Sequence, residues 1–218
     1  IGVTARLSGR DLGSTIRDIR NRINREVKLA PGMSIKFGGQ YEQQQQSFQN
    51  LFYVLISGLV LVSLIVLFVF DDWRAPIVTS VCAIAVLPGA LALLLWLGKS
   101  LNVSSYVGAI MMVGMVGENA MFVINEAKIA LREGLSVSEA WQRAARRRLR
   151  PVAMTIFATG FALMPLALAI GAGSQLMQPL ALAVIGGFTL SGPIVLLLLP
   201  GLYRLLDPHG NLGALAPA

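Results

Sequence analysis

The 218-residue sequence has little charge and a single cysteine. Only 13% of its residues are charged, against about a quarter in a typical soluble domain, whereas 55% are hydrophobic. The one cysteine, Cys82, lies within an apolar run, so the sequence offers neither a disulfide nor a thiolate metal site. These shortages exclude an ordinary soluble domain and a disulfide-stabilised scaffold.

Charge is missing altogether from three long stretches, 51–70, 75–98 and 151–203. A run of about 20 apolar residues is long enough to cross the hydrocarbon core of a bilayer as a helix. The sequence therefore belongs to an integral membrane protein that is all-α in its membrane part. It predicts a bundle over 49–207 with five spans, at 49–70, 75–97, 103–127, 151–171 and 178–203.

The net charge of +7 does not indicate a nucleic-acid partner, because the basic residues outside the polar stretch 1–49 lie in the connections between spans. The richest of these, QRAARRRLRP, is predicted to be a loop. In the connections and the C-terminal tail, nine Lys and Arg residues fall on one side of the predicted topology and only Lys99 on the other. Because basic loops stay in the cytoplasm, the tail at 208–218 is predicted to be cytoplasmic and the N-terminal segment periplasmic.

The first 48 residues read as a water-soluble β-α-β segment. GVTARL alternates like a strand, DLGSTIRDIRNRINREV has helical periodicity, and MSIKFGG follows a Pro-Gly turn as a second strand. The glutamine-rich YEQQQQSFQN is predicted to begin the first membrane helix. Such a sheet needs further strands, and the chain begins at Ile1 without a methionine, so we expect it to be a piece of a longer protein.

Glu118 stands in GMVGENAMFVI, within the apolar run that begins near Val103. Charge resumes at Glu126, about 12 Å further along a helix, which places Glu118 inside the hydrocarbon layer. Because an ionisable group in lipid must face protein or a water-filled cavity, its helical face is predicted to do so. That face also holds Met111, Gly114, Met115, Met121, Phe122 and Asn125, and the opposite face holds Val113, Val116, Ala120 and Val123.

Two interpretations of Glu118 follow. Inserting an ionisable group costs on the order of 3 kcal/mol, so a compensating role is expected. Burial favours the protonated form of a carboxyl and a nearby cation favours the ionised form, so a carboxyl between these effects can take up and release a proton. This physics favours a proton relay. The alternative is a protonated Glu118 that only hydrogen-bonds a neighbouring helix.

Other candidate residues carry weaker signals. Thr155 and Thr159 lie one turn apart and could donate to a carboxylate, although membrane threonines more often bond their own backbone. Methionines can bind soft ions such as Cu(I), although most pack in cores; the candidates are Met111, Met112, Met115, Met121, Met154, Met164 and Met177. The run ARRRLRP is interpreted mainly as a cytoplasmic anchor, and its first arginines could line a proton exit. No His-Glu-x-x-His motif, serine-lysine pair or paired aspartates occur in the spans, so neither an enzyme nor a cofactor is predicted.

Six motifs occur in the order found in one family: GRDLGS, PGMSIKFGGQYEQQQQ, DDWRAPIV, GENA, RRRLRPVAMT and GAGSQLMQPLA. Across nearly the whole chain they resemble the C-terminal portion of a resistance-nodulation-division efflux permease, of the heavy-metal or the hydrophobe (multidrug) branch. The resemblance implies the last five of twelve membrane helices, preceded over 1–48 by the end of a periplasmic porter subdomain. It also implies a homotrimer in the bacterial inner membrane, driven by proton entry, with a periplasmic adaptor protein and an outer-membrane channel as partners.

The resemblance also assigns a proton relay. In drug pumps a lysine often precedes an Asn-Ala pair on the tenth helix; here Glu118 precedes Asn119-Ala120, which reverses the charge. A glutamate here is similar to some metal pumps, which can carry a lysine where this chain has Val152. The threonine of Met-Thr matches Thr155 and the first arginine of Arg-Leu-Arg-Pro matches Arg148. The relay is thus predicted at Glu118, Asn119, Thr155 and Arg148, in a pump for heavy-metal cations or hydrophobic compounds. The alternative function is a membrane scaffold that transports nothing.

The predicted topology can be tested with two cysteine substitutions. Ser138→Cys should be protected from a membrane-impermeant maleimide in intact cells, because the basic connections are cytoplasmic, and Ser174→Cys should be labelled. Permeabilised cells, in which both sites should react, serve as the control. Labelling at 138 without labelling at 174 would overturn the orientation.

Overall fold

The computed structural model describes residues 12–27, 35, 37–171 and 173–206. Its α-helices are α1 (Leu12–Glu26), α2 (Gln40–Phe70), α3 (Arg74–Trp96), α4 (Val103–Arg132), α5 (Val137–Ala167), α6 (Ser174–Pro193) and α7 (Leu199–Leu206). A π-helical segment, Ile194–Leu198, joins α6 to α7. Five stretches are long and apolar enough to cross a membrane: α2, α3, α4, α5 and the continuous stretch Ser174–Leu206. The prediction of an all-α membrane part with five spans is confirmed.

The chain divides into two compact units, 1–50 and 51–218, each considered by itself. In the first unit, α1 is the predicted helix, and the guanidinium of Arg20 lies 5.5 Å from the ring centre of Phe37. The first predicted strand, GVTARL, lies outside the described residues. Of the second, only Ile35, Phe37, Gly38 and Gly39 are described, and none of them is in a strand. The predicted β-α-β segment is therefore represented by its helix alone.

The basic stretch QRAARRRLRP is helical, which corrects the predicted loop. It forms part of α5, which begins at Val137 rather than near Pro151. A capping box starts the helix: the Ser136 hydroxyl accepts from the Glu139 amide, and the Glu139 carboxylate accepts from the Ser136 amide at 3.1 Å. Since arginine and alanine favour helix, the capped segment continues unbroken into the apolar part of α5.

Proline residues interrupt the helices less than their number suggests. Pro88, Pro151 and Pro165 all lie inside helices that continue past them. Only after Pro193 does the hydrogen-bond pattern change, to the π-helical segment Ile194–Leu198. Membrane helices tolerate such breaks because local adjustments re-satisfy the backbone groups that a proline frees.

Helix α6 lies at the centre of the second unit and packs against α3, α4 and α5. Small residues make these contacts close. A Cβ atom at Gly186 would lie 2.7 Å from the carbonyl oxygen of Gly89 on α3, and one at Gly108 of α4 would lie 2.9 Å from that of Leu180. Helices in lipid associate by such close van der Waals packing, since lipid gives no hydrophobic drive between them.

Helix α4 has one packed face and one open face. Val113, Val116, Ala120 and Val123 are buried, so the valine side faces the bundle core. Met111 and Phe122, on the face of Glu118, are 42% and 45% exposed. The packing of the valine side thus turns Glu118 towards the surface of this unit.

A buried polar cluster joins the helix ends at the α2–α3 turn. Asp72 is 1% exposed, and its carboxylate accepts from the Tyr203 hydroxyl of α7 at 2.5 Å and from the Arg74 amide at 3.0 Å. The Tyr203 ring lies 5.0 Å from that of Trp141 on α5, centre to centre. Lys128 of α4 donates to the Phe70 carbonyl at 2.7 Å. The cluster thus ties together the ends of α2, α3, α4, α5 and α7.

Removing the Tyr203 hydroxyl should destabilise the bundle. Tyr203→Phe removes the hydroxyl donor to Oδ2 of the buried Asp72 carboxylate and leaves, among the described residues, only the Arg74 amide on Oδ1, a loss of about 1–3 kcal/mol. The midpoint of thermal unfolding in detergent, followed by size-exclusion chromatography, should fall by several degrees. Tyr53→Phe is the matched control, because Tyr53 is 71% exposed and should tolerate the change. Equal midpoints for the two variants would contradict a stabilising role for the Asp72–Tyr203 bond.

Candidate functional site

A cavity of about 220 Å³ opens between α4, α5 and α6. Helix α4 contributes the face of Glu118, helix α5 the turns that follow the basic stretch, and helix α6 a single aromatic ring. The lining residues are Met115, Glu118, Asn119, Phe122, Arg148, Pro151, Val152, Thr155, Thr159 and Phe188. All four residues of the predicted relay, Glu118, Asn119, Thr155 and Arg148, therefore line the same cavity.

Glu118 is held on the open face of α4 by the helix itself. One turn before it, Gly114 has no neighbour within 4 Å of an added Cβ, whereas Gly117 on the packed side would place a Cβ 2.5 Å from Val62 of α2. Within the described part of the chain the Glu118 carboxylate has no hydrogen bond or ion pair. A carboxylate without a fixed partner can exchange a proton with water in the cavity.

Arg148 lies between the cavity and a second carboxylate. Its guanidinium sits 4.9 Å from the ring centre of Phe122, and its Nη2 atom is 3.9 Å from Oε2 of Glu126. The side chain is 26% exposed, so its charge is partly desolvated. Ring and carboxylate together hold this cation at the rim of the cavity next to Glu118.

Glu126 is a charged residue that the sequence did not single out. It is 8% exposed, and its Oε1 atom accepts from Arg147 at 2.6 Å. Glu126 lies eight residues after Glu118 and Arg147 immediately precedes Arg148, spacings that are visible in the sequence. Their pairing is not visible there, because it joins residues 21 positions apart on different helices.

Thr155 does not donate to Glu118. Its hydroxyl donates to the Val152 carbonyl at 2.9 Å, which is the commoner behaviour of a membrane threonine. The oxygen still lines the cavity and can accept a hydrogen bond there. Thr155 is thus an acceptor that could order water or a protonated Glu118.

The methionines do not line a single path for a soft metal ion. Met112 is buried in the core and Met154 is 70% exposed, whereas Met115 alone of the seven lines the cavity. Among the described residues no group of three His, Cys, Asp or Glu side chains could hold a metal ion. The described helices thus carry a cavity in which a carboxylate and a guanidinium lie among apolar side chains.

Comparison with known proteins gives the family. The model of the AcrB/AcrD/AcrF family matches residues 1–207. The chain is 34% identical over 166 residues to the nickel and cobalt resistance protein CnrA of Cupriavidus metallidurans, which covers 74% of this chain and 15% of that protein. It is 32% identical to the cobalt-zinc-cadmium resistance protein CzcA of the same organism, over 75% of this chain and 16% of that protein.

A crystal structure of a heavy metal efflux pump matches with a TM-score of 0.81 and 35% identity, covering 93% of this chain and 20% of the pump. The chain therefore spans a minor part of the length of each of these relatives. The resemblance found in the motifs is confirmed, since the family model covers nearly the whole chain. This chain belongs to the AcrB/AcrD/AcrF family of resistance-nodulation-division permeases.

Proposed function

We propose that this chain is the C-terminal portion of a longer, proton-driven permease that exports heavy-metal cations across the bacterial inner membrane. Support for the cargo comes from relatives named for resistance to nickel, cobalt, zinc and cadmium and from the heavy metal efflux pump. The metal ion is the substrate in this proposal. Export of hydrophobic compounds, the other branch of the family resemblance, is the alternative cargo.

The observation that carries the proposal is the cavity shared by Glu118, Asn119, Thr155 and Arg148. We assign Glu118 as the group that takes up the proton and releases it. Arg148 favours its ionised form after release, and Asn119 and Thr155 supply amide and hydroxyl groups that hold water or the protonated acid. Because the carboxylate lies within an apolar span, only a change of its surroundings makes it exchange its proton with each side in turn.

The scaffold alternative needs Glu118 to make a lasting hydrogen bond to a neighbouring helix. Within the described residues it makes none, although α5 lies directly across the cavity. Keeping an ionisable group in a span costs on the order of 3 kcal/mol, and no hydrogen bond among the described residues offsets this cost, which favours a role in transport.

For the whole permease we propose the arrangement that the family resemblance implies. The segment 1–48 is periplasmic, the basic helix ends and the C-terminus are cytoplasmic, and seven further membrane helices precede these five. The pump is a homotrimer that works with a periplasmic adaptor and an outer-membrane channel. Most of the residues that bind cargo lie in the periplasmic part that precedes this chain.

The relay is tested in the full-length permease, reconstituted in liposomes with an imposed proton gradient. Glu118→Gln should abolish transport driven by the gradient while leaving folding intact, because glutamine keeps the shape and most hydrogen bonds but cannot ionise. Glu118→Asp should retain part of the activity, since the acid survives with a shorter reach. In cells, the same order should appear in tolerance to nickel, cobalt, zinc and cadmium.

Glu133→Gln is the matched control for this test. Glu133 follows α4, outside the cavity, and pairs with Arg143 at the surface, where such pairs contribute about 0–1 kcal/mol. It should transport normally. Proton-driven transport by Glu118→Gln at the rate of this control would eliminate the relay and favour the scaffold. Resistance to amphiphilic drugs without resistance to metals would replace the proposed cargo with the alternative.

A proton relay also requires water in the cavity. Thr155→Cys should react with a hydrophilic methanethiosulfonate reagent, because thiol modification proceeds through the thiolate, which forms in water. Phe157→Cys is the control and should stay unlabelled, because Phe157 is 65% exposed on α5 but does not line the cavity. The native Cys82 is buried and should stay unmodified. Failure to label position 155 under conditions that label an extramembrane cysteine would show a dry cavity.

A further inference from the structure

Phe122 lies midway between the two carboxylates of α4. It is four residues from Glu118 and four from Glu126, which is about 6 Å along the helix in each direction. The Arg148 guanidinium lies over this ring, lines the cavity of Glu118 and is 3.9 Å from Glu126. The ring over which this cation lies is thus about one helical turn from each of two acidic positions.

We propose that Arg148 moves across the Phe122 ring between two partners, Glu126 when Glu118 is protonated and Glu118 when Glu118 is ionised. This inference rests on the proposed relay and adds Glu126, with Arg147, as positioning residues. The structure has the first arrangement, with Arg148 towards Glu126 and Glu118 without a partner. Loss of the Glu118 proton creates a negative charge in the cavity, which attracts the guanidinium over the ring.

Arg147 makes the exchange possible. Its 2.6 Å bond to Glu126 keeps that carboxylate paired when Arg148 leaves, so the movement does not strand a buried charge. The Phe122 ring face stabilises the cation on its way, as aromatic faces do for guanidinium groups. Two arginines therefore pair with two carboxylates, and Arg147 stays bonded to Glu126 in both arrangements.

The charged groups in reach are few. Among the described residues lining the cavity, α5 presents Arg148 to Glu118, and α6 presents only the Phe188 ring. Glu126 is faced by Arg147 and Arg148 of α5. Lys128, two residues further on α4, donates instead to the Phe70 carbonyl. The position of Arg148 therefore decides which carboxylate has a balancing charge.

The two positioning residues should shift the pH dependence of transport in opposite directions. In Glu126→Gln, the side chain that Arg148 contacts when Glu118 is protonated is neutral. Arg148 therefore stays with ionised Glu118, and protonation of Glu118 needs a lower pH on the side from which protons enter. The half-maximal pH of metal transport by the full-length permease in liposomes should fall by about one unit. In Arg147→Gln, Glu126 retains Arg148 more strongly, Glu118 protonates more readily, and the half-maximal pH should rise.

Two further variants separate positioning from structural damage. Glu126→Asp keeps the charge, so its half-maximal pH should lie closer to that of the unsubstituted pump than that of Glu126→Gln does. The double variant Glu126→Gln/Arg147→Gln should behave like Glu126→Gln alone, because Arg147 acts only through Glu126. A purely structural cluster predicts lower activity for all these variants with an unchanged half-maximal pH.

The outcomes distinguish the two proposals. If Glu118→Gln is inactive but the shifts are absent or of the same sign, the relay stands and the exchange of Arg148 partners is wrong. If Glu118→Gln is active, the relay itself fails. Arg147 is 56% exposed, so Arg147→Gln should fold and give a reading even if Glu126→Gln does not; an unchanged half-maximal pH in Arg147→Gln would then overturn the exchange.

Discussion

The absence of water from the hydrocarbon core governs how this chain folds. Every backbone amide and carbonyl in the spans has to be satisfied within the protein, which is why all five stretches are helices. Side-chain hydroxyls follow the same rule. The Ser63 and Ser80 hydroxyls lie 2.8 Å apart, and each is within hydrogen-bond distance of the carbonyl four residues earlier, so their two protons are shared among these three contacts. Thr155 donates to Val152. Glu118 is the carboxyl group that this arrangement leaves without a hydrogen bond or ion pair among the described residues of the spans.

The close packing of α6 positions the cavity in which Glu118 lies. Glycines bring its backbone against α3 and α4, and Gly192 brings it against Ile156 of α5, where an added Cβ would lie at 2.9 Å. Because α4 and α5 are both fixed to α6, the open face of α4 meets the turns of α5 that carry Arg148 and Thr155. The close contacts of α6 therefore determine which side chains of α4 and α5 meet in the cavity.

The helices continue beyond the apolar spans, and this places charge next to the cavity that Glu118 lines. Helix α4 has 30 residues and is therefore about 45 Å long, against about 30 Å of hydrocarbon. Its last turns carry Glu126, and the first turns of α5 carry Arg147 and Arg148. Had the basic stretch been the predicted loop, its arginines would be mobile anchors in solvent. As part of a helix, two of them have defined acidic partners.

The sequence alone determined the class, the number of spans and the position of Glu118 within one of them, because hydrophobic length and an isolated charge are properties of the linear chain. It also contained the family motifs and, through helical periodicity, the face of α4 on which Glu118 lies. The tertiary structure decided the rest. The donor role considered for Thr155 is absent because the hydroxyl reaches its own backbone first, and the basic stretch is a helix because Ser136 and Glu139 cap it. Glu126 meets Arg147 and Arg148 only because packing against α6 brings the end of α4 beside the start of α5, a contact between helices that the periodicity of neither helix contains.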